Sequence, residues 1–311
     1  MIEASRLEKV YEGHHAVKGI NFEVKRGELM ALLGPNGAGK TSTIRMVSSI
    51  LKPSAGSVVV NGANSATEPD KVRRSIGMIT EQPGLYERMT GMEYLLFYGR
   101  LYGLRDRHIR NRGQSLFKRF GMNGAIDSRL GTYSKGMKQK AGLIRAMLHN
   151  PPVLLLDEPT SAMDPHSAKQ VREAIQELRD DHHTIILCTH NLNEAERLSD
   201  SIAIINNGEI VAKGGNAELK QQLLGDPVME VTLNLPIKEK FQSLQSRIPS
   251  VEFNRISGNV IRYQTDSPIS FNPYLIQVLS QLSIGVVTLR EVSQSLEEVY
   301  LSVVNEEPLK I

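Results

Sequence analysis

Gly34-Pro35-Asn36-Gly37-Ala38-Gly39-Lys40-Thr41, followed by Ser42, is where the chemistry of this chain concentrates. The spacing fits G-x-x-x-x-G-K-[ST], a loop whose glycines let backbone N–H groups turn inward and line a nest for phosphate oxygens. In such a nest Lys40 reaches the β- and γ-phosphates of a nucleotide, and the Thr41 hydroxyl is a ligand for Mg²⁺. Asp157 and Glu158 follow the apolar run Val153–Leu156, so a buried strand delivers them at its carboxyl end, where open α/β sheets bind ligands. Asp157 is placed there to hold Mg²⁺ with Thr41, and Glu158 to polarise an attacking water as general base. Without the phosphate loop the same pair would read as a strand-end turn. His190 stands just beyond a second apolar run, Thr184–Cys188; it reads equally as a structural histidine or as a sensor of the γ-phosphate. Tyr11, before the turn-rich Glu12–His15, has the spacing of a half-buried strand residue, and its ring could also stack on an adenine.

These residues need elements to hold them. Glu28–Leu33 is a short apolar run suited to a buried parallel strand, and Thr41–Ser49 reads as the helix after the loop. That helix turns Ile44, Val47 and, if it runs so far, Ile50 inward, and points its positive end at the phosphates. Residues 2–10 and 17–24 alternate as antiparallel strands do, and Val58–Val60 runs into an Asn61-Gly62 turn. Ile76–Ile79 is another short strand. Helical spacing covers Met92 to about Gly121, with a second helix near Ile109–Phe120 whose Arg107, Arg110, Arg112, Lys118 and Arg119 read as a solvated face. Further helices are expected from Ser134 to about His149 and near Ser167–Asp181, and Ile202–Ile205 with Glu209–Ala212 reads as a hairpin. After Gly225-Asp226-Pro227 the order becomes β-α-β-β-α-β-α, through Val228–Leu235, Ile237–Ile248, Val251–Ile256, Val260–Thr265, Pro273–Ser283, Val286–Val292 and Ser295–Val304. That order suggests a ferredoxin-like module of about 80 residues. The expected organisation is a domain over 1–225 with a helical insert at about 86–150, and an accessory domain over 226–311.

Composition bounds the function. Lys and Arg number 37 against 34 Asp and Glu, a net charge of +3 too small to argue for nucleic acid as a partner. The single cysteine, Cys188, excludes an intrachain disulfide framework and a multi-cysteine metal site, and its apolar neighbours make it a buried structural thiol. No apolar segment approaches the roughly 20 residues of a membrane-spanning helix, and the first residues lack a signal-peptide core. The expectation is a cytoplasmic chain that meets a membrane only through a partner.

Taken together, Gly34–Thr41, Ser134-Lys135-Gly136, Leu154–Thr160, Ser161–Asp164 and Thr189-His190 resemble the ATP-binding subunit of ABC transporters, in that family's motif order over residues 1 to about 220. The tail Ser295–Leu301 resembles prokaryotic exporter ATPases of the drug-resistance and sodium-export type, which append a small C-terminal domain. The resemblance implies an α/β P-loop NTPase fold with a mainly parallel sheet, an antiparallel N-terminal β-subdomain and a helical insert. It implies ATP and Mg²⁺ as ligands and ATP hydrolysis as the activity. Tyr11 takes the place of the adenine-stacking aromatic, Asp157 of the metal-linked aspartate, Glu158 of the catalytic glutamate and His190 of the switch histidine. Asp164 falls in the loop that crosses between subunits of a dimer, and Ser134 and Gly136 in the signature motif that completes the partner's ATP site. The partners implied are a second nucleotide-binding domain, as a homodimer, and an integral-membrane permease that docks on the insert near Leu85–Thr90, with the chain peripheral on the inner membrane face.

Two departures from the family pattern matter. The signature reads Tyr133-Ser-Lys-Gly-Met137 instead of Leu-Ser-Gly-Gly-Gln, and where the family offers a glutamine to the metal this chain has Glu81 followed by Gln82. Either residue can fill that role. Two other readings compete with the exporter motor: a non-transport ATPase of the same family acting on ribosomes or DNA, and a regulatory ATP-binding module built around the C-terminal domain. A single phosphate loop and the lack of a long heptad run weigh against the first.

Overall fold

Leu29–Leu33 forms a strand, β3, whose five residues are all buried, the mark of a central parallel strand covered on both faces. The computed structural model describes residues 1–161, 163–237, 240–255, 257–292 and 295–304. Ala162 of the Ser161–Asp164 stretch, Lys238 and Glu239 near the start of one expected helix, Ile256 at the end of an expected strand, and the end of the expected 226–311 domain lie outside the described residues.

The chain divides into two compact units, one ending at Asn216 and the next beginning at Ala217, ahead of the Gly225–Pro227 break. In the first, β1 (Ile2–Tyr11), β2 (His14–Val24), β4 (Ala55–Val60) and β5 (Ala63–Asn64) make an antiparallel sheet in the order β2-β1-β4-β5. The larger sheet contains β3, β6 (Ile76–Ile79), β7 (Val153–Asp157), β8 (Thr184–Thr189), β9 (Ser201–Asn206) and β10 (Glu209–Gly214), in the order β10-β9-β3-β8-β7-β6. All its pairings are parallel except the β9–β10 hairpin.

Side chains alternate across such a sheet, so each strand feeds two cores. Leu154 and Leu156 of β7, with Ile185 and Leu187 of β8, face a core shared with the helices α3 (Gly91–Leu101), α4 (Asp106–Arg119), α5 (Lys135–Met147) and α6 (Pro165–Asp180). Val153, Leu155, Ile186 and Cys188 face the other core, shared with α1 (Lys40–Val47) and the antiparallel sheet. Two short helices, α2 (Pro69–Ser75) and α7 (Leu192–Leu198), complete the unit, and α8 (Asn216–Leu224) leads out of it.

Several expectations are corrected. Ile50 does not turn inward but is 63% exposed, because α1 stops at Val47 and Ser49 adopts φ 58°, swinging the chain off the helix axis. The basic face of α4 is not simply solvated. Arg112 donates to the Met147 carbonyl and to Asn150 at the end of α5, and Arg119 pairs with Glu177 and Asp181 of α6. Helix α3 begins with a reciprocal capping box between Thr90 and Glu93, a signal the hydrophobic pattern does not carry.

In the second unit β11 (Val228–Leu233), α9 (Lys240–Arg247), β12 (Phe253–Arg255), β13 (Val260–Gln264), α10 (Pro268–Gln281), β14 (Val286–Glu291) and α11 (Leu296–Val304) follow one another, and the sheet order is β12-β13-β11-β14, antiparallel throughout. This is the ferredoxin-like arrangement. Met229, Val231 and Leu233 point into its core with Leu244, Leu275 and Leu279 from the helices. On the opposite face of β11, Glu230 accepts two bonds from Arg262 and two from Arg290, its cross-strand neighbours on either side.

Those arginine bonds hold the Glu230 carboxyl below its ordinary pKa. A depressed carboxyl contributes stability above its unfolded pKa and loses it as pH falls through the folded value. Both arginines are substantially exposed, so the contribution is modest, about 1 kcal/mol. Glu230→Gln should therefore speed hydrogen exchange of β11, β13 and β14 in the full chain at pH 7. The difference from the native protein should shrink below about pH 4, and a difference that grows towards acid would contradict it.

Candidate functional site

The phosphate loop is the crossing from β3 to α1, and its glycines are there for two physical reasons. A Cβ on Gly34 would lie 2.2 Å from the Ile205 carbonyl oxygen, and one on Gly39 would lie 2.5 Å from that of Ala16, so neighbouring backbone leaves no room. Gly37 and Gly39 also sit at φ 83° and 107°, left-handed values that turn the loop's amides towards a common centre. The loop is braced from behind by the β9–β10 turn: Gly208 donates to the Ala38 carbonyl at 3.1 Å and accepts from the Lys18 amide at 2.8 Å. Gly34 donates to Thr189, tying the loop to the end of β8.

Lys40 is 6% exposed and folded onto its own loop, with Nζ donating to the carbonyls of Gly34 at 2.7 Å and Pro35 at 3.1 Å. Its ammonium is 3.6 Å from Glu158 Oε1. The Thr41 hydroxyl, at the start of α1, donates to Asp157 Oδ2 at 3.2 Å across the sheet edge. His190 Nδ1 lies 2.8 Å from Glu158 Oε2 and donates to it in the tautomer that protonates that nitrogen. Glu158 itself adopts φ 50°, unusual for a side-chain-bearing residue, and its amide donates to the Cys188 carbonyl; this local strain aims the carboxylate back over the strand end. β3, β7 and β8 thus bring Lys40, Thr41, Asp157, Glu158 and His190 to one edge.

Two oxygens there lack hydrogen-bond partners although buried, Asp157 Oδ1 and Glu158 Oε1. Burial raises the Asp157 pKa, opposed by the Thr41 bond and reinforced by the charges of Glu158 and Glu81. A buried carboxylate with one unpartnered oxygen, its other oxygen bonded to a threonine hydroxyl, fits the donor set of Mg²⁺. Glu81, just past β6, is close enough for its charge to act on Asp157; the Gln82 carbonyl is taken up by the Thr80 hydroxyl, and both side chains are exposed.

The aromatic lies a short way along the groove. Tyr11 is 39% exposed at the end of β1, its hydroxyl 3.3 Å from Ser42 Oγ of α1. Between its hairpin turn and the phosphate loop is a recess of about 340 Å³ lined by His14, His15, Lys18, Gly37 and Asn207.

The family described as ABC transporter matches residues 17–161. The chain is 37% identical to the uncharacterized ABC transporter ATP-binding protein YxlF of Bacillus subtilis, over 98% of this chain and 100% of that one. The chain belongs to the ATP-binding proteins of ABC transporters. It is also 35% identical to the daunorubicin/doxorubicin resistance ATP-binding protein DrrA of Streptomyces peucetius, over 97% and 91% of the two chains. A solved ATP-binding subunit of an ABC transporter superposes at a TM-score of 0.66 with 34% identity, over 72% of this chain and 94% of the other. This chain is accordingly an ABC ATPase.

Not all the expected residues converge on the phosphate loop. Ser134 caps α5, accepting from the Met137 amide, and is exposed; Gly136 is packed against Ser167 of α6, where a Cβ would come within 2.9 Å. Asp164 caps α6 by accepting from His166 and Ser167, which lowers its pKa. The signature segment and the Asp164 loop therefore meet each other through Ser167.

One residue of the site was not foreseen. Glu194 of α7 is 1% exposed and accepts from Thr160 and Thr189, and its burial raises its pKa. A short polar-rich segment after His190 gives no periodic signal for it; only Asn191, three positions before Glu194, hints at a helix start.

Gly39→Ala forces a methyl group into the Ala16 carbonyl and an alanine into φ 107°. It should weaken binding of a fluorescent ATP analogue by roughly 5- to 150-fold, the equivalent of a conformational strain of roughly 1–3 kcal/mol. Unchanged affinity would show that the loop does not depend on this glycine.

Proposed function

We propose that this chain is the ATP-hydrolysing motor of a membrane exporter. The observation that carries the reading is the convergence at one sheet edge of a buried ammonium, a threonine–aspartate pair with a free carboxylate oxygen, and a glutamate held by a histidine. On ATP binding the backbone amides of residues 34–41 and the positive end of α1 receive the phosphates, and Lys40 exchanges the carbonyls of Gly34 and Pro35 for the β- and γ-phosphate oxygens. Tyr11 stacks on the adenine, and Ser42, next to it, contacts the nucleotide. Thr41 and Asp157, with Glu81 in preference to Gln82, would hold Mg²⁺, which when bound would neutralise charge on the phosphates. Glu158 Oε1 takes the proton of the attacking water, while His190 at Oε2 fixes the carboxylate's orientation and senses the γ-phosphate.

Ser134 and Gly136 complete the site of a second copy. Ser134, exposed at the start of α5 beside the Asp164 loop, offers its hydroxyl and the helix N-terminus to a partner, and the buried Gly136 lets that turn pack against Ser167, as an ATP-sandwiched dimer requires. Lys135 in this segment adds positive charge towards the partner's γ-phosphate. Permease docking falls to the helical insert near Leu85–Thr90, where the exposed Tyr86 meets the exposed Phe97 edge-on; the insert also exposes Leu101 and Tyr102. Among the described residues no helix is long and apolar enough to cross a membrane. The membrane-spanning part is proposed to belong to that partner, with the chain on the cytoplasmic face, from the likeness to ATP-binding subunits of transporters. Export follows from likeness to relatives such as the DrrA resistance protein.

Glu158→Gln tests the reading. It should reduce Mg²⁺-ATP turnover by at least about a hundredfold while leaving ATP affinity within a few-fold, and should trap an ATP-dependent dimer seen by light scattering. A monomer at saturating ATP, together with a wild-type chain that does not hydrolyse ATP alone or with its partner, would overturn it. Gentle detergent extraction from native membranes should bring down a multi-spanning protein in fixed ratio; ribosomal or DNA-bound material without one would contradict the permease assignment.

A further inference from the structure

Glu194 has no part in the chemistry above, yet its surroundings are built around its charge. Oε1 accepts from Thr160 Oγ1 at 2.7 Å and Oε2 from Thr189 Oγ1 at 2.9 Å. Both threonines are buried as well. Thr189 Oγ1 also accepts from the Asn191 amide at 3.0 Å, and Asn191 Oδ1 accepts from the Glu194 amide at 3.2 Å, closing a ring of bonds at the start of α7. An apolar side chain would fill this place with no charge to desolvate, so the carboxylate's bonds, not its volume, distinguish it.

What those bonds join is the point. Thr160 follows Glu158 by two positions and Thr189 directly precedes His190. The carboxylate of Glu194 therefore spans the two chain segments that carry the Glu158–His190 pair. Glu158 sits in a left-handed conformation that its own residue type does not favour, its amide donating to the Cys188 carbonyl and its carbonyl accepting from the Ser161 amide. The same two segments line a cavity of about 330 Å³, with Glu158, Thr160, Thr189 and His190 on its wall, so they are not packed against each other along their whole length.

We infer that Glu194 is a positioning residue: it cross-links Thr160 to Thr189 so that Glu158 and His190 keep their hydrogen-bonded register through the catalytic cycle. The inference rests on the roles of Glu158 and His190 proposed above. Glu194 is 1% exposed and both its carboxylate oxygens are taken up by the two threonines, so it acts through Glu158 and His190 and leaves ground-state binding alone.

The test is steady-state ATPase activity of the full chain with Mg²⁺-ATP, alongside nucleotide affinity, for Glu194→Ala, Glu194→Gln, Thr160→Val and the Glu194→Ala/Thr160→Val double variant. Glu194→Ala should lower kcat by roughly 10- to 100-fold with KM and affinity changed less than about threefold, since misplacement of catalytic groups affects the reacting state. Glu194→Gln should keep activity within about threefold of the native chain, because the amide supplies one acceptor and can donate to the other threonine's hydroxyl. Thr160→Val preserves shape and should also lower kcat, and in the Glu194→Ala background should add less than about twofold. A raised KM at constant kcat, or losses that multiply in the double variant, would overturn the inference. If Glu194→Ala does not fold, Thr160→Val decides: native kcat overturns the bridge, reduced kcat at unchanged affinity supports it. A wild-type chain without ATPase activity would instead overturn the motor reading, and the inference with it.

Discussion

Lys40 is a buried ammonium, and the sheet edge is arranged around that fact. A buried charge must find partners, since an unpaired one costs several kcal/mol. Here the partners are two carbonyls of its own loop and, at 3.6 Å, the carboxylate of Glu158. Every other feature of the site serves to bring those groups together. The glycines open the loop far enough for its carbonyls to face the ammonium. β7 delivers Glu158, β8 delivers the histidine that steadies it, and the β9–β10 turn keeps the loop from relaxing outward. Nucleotide phosphates can displace the carbonyls because they offer more charge in the same place.

The parallel sheet makes this possible at little conformational expense. Its strands are buried on both faces, so their ends are fixed to within the tolerance of two packed cores. Side chains at those ends inherit that rigidity, while the exposed Tyr11, Ser134 and Asp164 stand on turns and helix starts that remain open to a partner. The site is thus half closed and half outward-facing, as the proposed completion by a second copy requires.

What could be read from the sequence was what is local in it. The phosphate loop, the apolar run before Asp157 and the order of elements after Gly225 are contiguous patterns, and the elements appear in the structure close to where their patterns lie, except that α10 begins at Pro268 and carries within it the Pro273 expected to start it. Long-range ties were not legible. That Glu194 would reach Thr160, that Gly208 would brace Ala38, and that Arg119 would pair with α6 depend on chain segments brought together only by the complete sheet. Ile50 failed for a local reason, since Ser49 leaves the helix in a conformation that periodicity does not encode. The short helices α2 and α7 have too few turns to show a periodic face.

A structure of the chain with Mg²⁺ and a non-hydrolysable ATP analogue tests the central claim most directly. The account predicts that Lys40 Nζ leaves the Gly34 and Pro35 carbonyls for the β- and γ-phosphates, while Asp157 Oδ1 gains a partner at the metal. It also predicts that Ser134 of a second copy lies on the γ-phosphate. A nucleotide bound with Lys40 still turned onto its own loop, or seated away from the edge of β3, β7 and β8, would contradict it.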